Sequence, residues 1–265
     1  MQAPRSFSSW RMMVVPPRSG AENMARDTAL LERAARTGET VLSVYSWGEP
    51  TLSFGRHQPA VGRYDRGRIL AAGMGVVRRP TGGRAILHDR EVTYSVTSPM
   101  AGAGSLRSAY ARINSLLVDA LSRLGVTASL APAAGSRAHA PSAIPCFETP
   151  SEGELIANGR KLVGSAQWRD ENALLQHGSI LVEDDQSSLA SLAATTEAQG
   201  EMSPPATLAR LMGRSPAVAE VAEAMFDAVK SIEDPDATLL DEDEIRPDAA
   251  KHLPQFLDEN WTWRR

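Results

Sequence analysis

The chain has 265 residues, 42% of them hydrophobic, and its 28 Lys and Arg against 32 Asp and Glu leave a net charge of −4. Length and apolar content suit one globular domain, and the acidic balance removes the electrostatic case for nucleic acid as the main partner. The single cysteine rules out an internal disulfide framework and fits a reducing compartment. No run approaches the roughly 18 apolar residues that span a bilayer, and MQAPRSFSSWRMMVVPP lacks the apolar core and cleavage site of a signal peptide. A cytoplasmic protein with no membrane partner is expected.

Trp10 to Val15 predicts a first strand, stopped by Pro16 and Pro17, which cannot donate to a ladder. Ala21 to Arg36 has helical spacing of Met24, Leu30, Leu31 and Ala34 and ends at Gly38. Val41–Trp47 and Thr51–Phe54 read as strands joined by the turn Gly48-Glu49-Pro50, and Arg66–Ala72 as a short helix closing at Gly73. Then comes Arg78 to His88, RRPTGGRAILH, entered from the apolar run Met74–Val77 and left through Val92–Val96. Such a stretch suits strands that bring a bare, cationic backbone to a ligand, because Gly82-Gly83 lets a ligand approach the main chain.

Ser105 to Leu124 predicts an amphipathic helix with Gly125 as its cap, and Val126–Leu130 a short strand. Ala131 to Pro145 is small and proline-rich with no periodicity, and runs directly into Cys146; a loop of this length is usually functional or disordered. Asn158-Gly159 accepts the positive φ of a type I′ turn and should join Glu154–Ala157 to Lys161–Arg169 in a hairpin, with a second turn at Asp170-Glu171-Asn172 leading to Leu174–Glu183. Ser187–Ala194 reads as a helix, Glu197–Thr207 as a linker, and Ser215-Pro216 as the cap of a helix through Lys230. The tail carries an acidic patch, Asp241–Glu244, and ends in Trp261 and Trp263. Strands joined by hairpins with a few helices argue for an α+β fold with a mixed, largely antiparallel sheet. Residues 1–265 are read as a single domain, 196–265 being its C-terminal helical portion.

The glycine pair satisfies neither the dinucleotide nor the P-loop pattern, so any anion contact there comes from backbone amides and from Arg78, Arg79 or Arg84. The five histidines have no HExxH or paired ligand spacing, and with one cysteine a metal site is not expected. Cys146 sits between a flexible loop and the turn Thr149-Pro150-Ser151, a setting compatible with a reactive thiol, provided that a cation or base stabilises its thiolate. Lys161 is the natural candidate. In an extended strand Lys161, Val163, Ser165 and Gln167 share one face, while Leu162, Gly164, Ala166 and Trp168 share the other, where the small residues leave a groove.

RRPTGGRAILHDREVTYSV followed by GRKLVGSAQWRDENALLQHGSILV, with Asn23–Asp27 upstream, resembles the catalytic domain of the biotin/lipoate protein ligase and octanoyltransferase family. The segment CFETPSEGELIANGRKLVGSAQ is most similar to its cysteine-dependent octanoyltransferases. That resemblance implies a biotin/lipoate ligase-like fold and an acyltransferase that needs no cofactor. It implies that Cys146 takes the octanoyl group from octanoyl-acyl carrier protein as a thioester, that Lys161 lowers its pKa, and that the acyl group passes to a lysine of a lipoyl domain such as the glycine cleavage H protein. Substrate-binding positions are then Arg79, Gly82, Gly83, His88, Gly164, Ser165, Ala166, His177 and Gly178, with Gly164, Ala166 and the glycine pair walling an acyl channel. Two alternatives stay open: an ATP-dependent lipoate ligase in which Lys161 binds an acyl-adenylate, and a non-catalytic homologue that only binds carrier proteins.

Overall fold

A computed structural model describes residues 9–100, 104–132, 153–194 and 204–265; Cys146 and most of Ala131–Pro145 lie outside them. In chain order the elements are β1 (Trp10–Arg18), α1 (Gly20–Thr37), β2 (Thr40–Trp47), β3 (Thr51–Phe54), α2 (Arg66–Ala71), β4 (Gly75–Arg78), β5 (Ile86–His88) and β6 (Glu91–Pro99). There follow α3 (Leu106–Arg123), β7 (Ser129–Leu130), β8 (Leu155–Ala157), β9 (Arg160–Arg169), β10 (Ala173–Leu181) and a 3-10 turn, Gln186–Leu192. The C-terminal part holds α4 (Leu208–Met212), α5 (Val218–Ile232), β11 (Thr238–Leu239), α6 (Arg246–Leu257) and α7 (Glu259–Thr262).

Eight strands form one sheet in the order β11-β1-β2-β6-β10-β9-β8-β7, parallel from β11 to β2 and antiparallel beyond. A second sheet, β4-β3-β5, has three. The expected α+β class with a largely antiparallel sheet is therefore observed. One face of the large sheet is covered by α3 and α5, which place Ile113, Leu117, Val221 and Met225 against Leu42, Val96 and Ile180. On the other face α1 and α6 pack Met24, Leu30 and Phe256 with Val15, Val41 and Tyr45. Helix α1 has its ends written locally. Ser19 and Glu22 form a reciprocal capping box, and Gly38 takes φ 77° at the C-terminus, satisfying end groups that the helix itself leaves unpaired.

The hairpin at Asn158-Gly159 forms with φ of 51° and 72°, as the type I′ turn requires. Two expectations change, those for Pro16-Pro17 and for Ser215. Pro16 and Pro17 do not end β1: the register passes from Val15↔Tyr45 to Arg18↔Trp47, so the two prolines bulge against Ser46 alone and the strand continues. The turn after β2 does not make a hairpin, because β2 pairs with β1 and β6 while β3 belongs to the second sheet. Ser215 does not cap α5; Ala217 precedes that helix, and the Ser215 hydroxyl donates to Glu183. The tail is built into the fold, with Trp263 against Phe54 and the Thr262 carbonyl accepting from Arg78.

Candidate active site

The central strands bring a polar stripe onto the face beneath α1. Register places Tyr45, Thr93, Ser179 and Gly164 in one cross-strand row, and Ser43, Ser95, His177 and Ala166 in the parallel row two residues along. Alternation points both rows to the same face. Because Gly164 and Ala166 carry little or no side chain, the sheet leaves space there. Met24 from α1, Ile86 and His88 from the small sheet, and Arg79 and Gly83 from the loop between β4 and β5 close the space into a narrow cleft whose floor includes Trp47.

The row between belongs to the opposite face, where Val44, Tyr94, Gly178 and Ser165 align. A Cβ on Gly178 would lie 2.6 Å from the Gly164 carbonyl and 2.7 Å from Ser165 Oγ. Only glycine lets β9 and β10 approach this closely under Tyr94, whose hydroxyl bonds Ser165 Oγ at 2.7 Å.

Two histidines border the cleft, each held from behind by a buried carboxylate. His177 Nδ1 lies 2.9 Å from Asp27 Oδ2, which also accepts from the Tyr45 hydroxyl at 2.9 Å. A carboxylate only accepts, so Nδ1 carries a proton and donates, while Nε2 lies 2.6 Å from Thr81 Oγ1. His88 repeats the pattern, with Nδ1 donating to Glu91 Oε1 at 3.1 Å and Nε2 accepting from Ser53 Oγ at 2.6 Å. Burial pushes the His88 pKa below its ordinary value, in keeping with this neutral ring, which stacks on Trp47 with centroids 3.9 Å apart.

The loop Pro80–Ala85 is fastened from inside. Arg79 donates to the carbonyls of Ser53, Gly82 and Arg84 at 2.9–3.0 Å, and Thr81 hangs on His177. Gly83 takes φ 94°, and its carbonyl sits where a Cβ on Gly55 would be, 2.0 Å away. Arg78 is fully buried and donates to the carbonyls of Gly55, Gln58 and Thr262. The expectation that it could contact an anion is thereby overturned, since its role is to tie the loop to the C-terminal segment.

Of the residues marked from sequence, Arg79, Gly83, His88, Gly164, Ser165, Ala166, His177 and Gly178 meet at the cleft, while Gly82 and Lys161 are not among its lining. Lys161 is buried and pairs with Glu154, Nζ to Oε1 at 2.7 Å. Beside it, β8 pairs Ile156 with Lys161, and the chain leaves and re-enters next to this pair, where Ala131 N donates to the Glu154 carbonyl and Gly153 N to the Ala131 carbonyl. Cys146 belongs to the segment between those two anchors and is outside the described residues. Sequence reading missed Asp27, Glu91 and Trp47. Asp27 lies in the Asn23–Asp27 segment, which was matched only as a helix, and Glu91 and Trp47 carry no signal beyond ordinary strand positions.

The sequence profile for the lipoyl protein ligase A/B catalytic domain matches residues 19–230. The chain is 44% identical over 191 residues to octanoyltransferase LipM of Kyrpidia tusciae, covering 69% of each protein. It is 43% identical over 183 residues to octanoyltransferase LipM of Carboxydothermus hydrogenoformans, covering 68% of this chain and 67% of that one. In fold it is similar to lipoate-protein ligase A bound with ATP, with TM-score 0.78, 20% identity and coverage of 97% and 99%. It is likewise similar to a bi-partite lipoate protein ligase from Thermoplasma acidophilum, with TM-score 0.75, 19% identity and coverage of 96% of each. The chain belongs to the lipoyl protein ligase A/B catalytic domain family.

Proposed function

We propose that this chain is a protein octanoyltransferase of lipoyl assembly, a single catalytic domain acting in the cytoplasm through an acyl-thioester on Cys146. The observation that carries the reading is the cleft of small and apolar groups, Gly164, Ala166, Ile86, Met24 and Trp47, in a chain whose relatives are named octanoyltransferases. Burying about six methylenes of an octanoyl chain contributes roughly 5 kcal/mol at ~0.8 each, before ordering costs.

The Cys146 thiolate attacks the carbonyl of octanoyl-acyl carrier protein, the carrier's C–S bond breaks, and its thiol leaves with a proton. A lysine amine of the lipoyl domain, such as the H protein's, then attacks the enzyme thioester. The amide forms, the C–S bond to Cys146 breaks, and the amine's proton goes to the released sulfur. Lys161, buried next to the anchors of the cysteine segment, supplies the cation that stabilises the thiolate. Backbone amides of the Gly82-Gly83 loop or of the His177-Gly178 strand face the developing oxyanion.

The test is transfer with purified components. Octanoyl-acyl carrier protein and a lipoyl domain, incubated with the enzyme and no nucleotide, should give the octanoylated domain. Modification that requires ATP and free octanoate would replace this reading with a ligase.

A further inference from the structure

The arginines that first suggest an anionic partner, Arg78 and Arg79, are 0% and 3% exposed; both donate to backbone carbonyls, and Arg79 also to the Ser53 hydroxyl. Accessible cations near the cleft come from the turn after β3, where Arg56 is half-buried, and from the C-terminal end, where Arg264 is exposed. The Arg56 guanidinium lies 5.0 Å from the Trp168 ring and 5.8 Å from Trp261. Arg264 sits 3.9 Å over Trp261 and donates to the Arg56 carbonyl at 2.6 Å. The group adjoins the rim. Arg56 N donates to the Thr81 carbonyl at 2.7 Å, and Gly55 packs on Gly83. Trp168 follows Ala166 on the same face of β9, and Ala166 is itself 3.9 Å from the Cβ position at Gly83.

Many of the chain's other arginines are held by carboxylates. Elsewhere Arg11 and Arg33 hold Glu39, Arg18 holds Glu242, Arg36 holds Asp248, and Arg112 holds Glu233. Arg56 and Arg264 pair with no carboxylate among the described residues, although the chain as a whole is acidic. Burial, and then the like charges of Arg56 and Arg265, depress the Arg264 pKa. Stacking on indoles holds both guanidinia in place, so little side-chain freedom remains to be lost on binding.

We propose that Arg56 and Arg264, seated on Trp168 and Trp261, form the docking surface for the anionic face of the acyl carrier protein that delivers the octanoyl thioester. The inference rests on the octanoyl-transfer reading above and names its donor surface. A carrier presents its thioester on an arm joined through a phosphodiester, so negative charge arrives at the rim with the acyl group. The acceptor brings a lysine, which a cationic rim repels. Rim charges of this kind act mainly on encounter rate and salt dependence.

Binding of carrier protein with an unacylated phosphopantetheine arm, followed by fluorescence anisotropy at low and near-physiological salt, tests this without turnover. The purified full chain should bind more weakly as salt rises. Arg56→Glu or Arg264→Glu should each weaken carrier binding by about tenfold and flatten the salt response, while Arg56→Lys keeps most of the affinity and lipoyl-domain binding is unchanged. Should Arg56→Glu fail to fold by circular dichroism, Arg264→Glu, on an exposed side chain, decides alone. Carrier affinity untouched by reversal at Arg264, or a loss confined to the lipoyl domain, overturns the proposal. Failure of the transfer reading shows separately, as absence of acylation of the wild-type chain by octanoylated carrier.

Discussion

At single residues, the two histidines of the cleft depend on carboxylates that never reach its surface. Asp27 holds the His177 ring, and through it the Thr81 hydroxyl and the glycine loop. Asp27→Asn keeps the shape but turns an N–H donor toward His177 or Tyr45. It should lower stability by about 1–3 kcal/mol in urea unfolding at neutral pH; a change under about 0.5 kcal/mol would mean that the carboxylate does not hold the ring. His88 gives a pH signature. Its folded pKa lies below the ordinary 6.5 because burial disfavours the cation. Between those two values the unfolded chain binds the proton and the folded chain does not, so stability falls as pH drops below 6.5 and levels once the folded pKa is passed. Urea midpoints between pH 7 and pH 5 should show this slope in the wild type and a shallower one in His88→Gln. Equal slopes would contradict the assignment.

At the scale of elements, β9 and β10 are held by Gly178, which no larger residue can replace without moving the Gly164 carbonyl. Gly178→Ala should cost about 1–3 kcal/mol through overpacking, measured by thermal or urea unfolding, and a neutral result would show that the strands are not in close contact there. The elements also show what a sequence can reveal. The hairpin at Asn158-Gly159 and the caps of α1 are legible because each is decided within a few residues by φ and by unpaired amides. Gly164, Ala166 and His177 were legible through strand alternation and family resemblance. The exit of β2 into a second sheet was not, since Gly48-Glu49-Pro50 turns the chain equally well in either arrangement and distant β1 and β6 decide. Helix α6 escaped notice because Phe256 is its only fully buried residue and Pro254 lies inside it; its partner α1 is at the other end of the chain. Asp27 and Glu91 went unread for a different reason: each acts through a histidine that only the tertiary fold supplies.

Across the whole molecule, the two sheets divide the work. The large sheet with α1 supplies a floor of small residues and oriented histidines. The small sheet and the C-terminal segment, joined through Arg78 to Thr262, hold the glycine loop and a cationic rim. Among the described residues no helix is long and apolar enough to cross a membrane. The proposed reaction joins these parts through a thioester on Cys146. The most direct measurement is intact-protein mass spectrometry after mixing the purified chain with octanoyl-acyl carrier protein in the absence of acceptor. The account predicts the gain of one octanoyl group, released by hydroxylamine, mapped to Cys146 and absent in Cys146→Ser. Full transfer to a lipoyl domain by Cys146→Ser, with no acylated enzyme in the wild type, would contradict it.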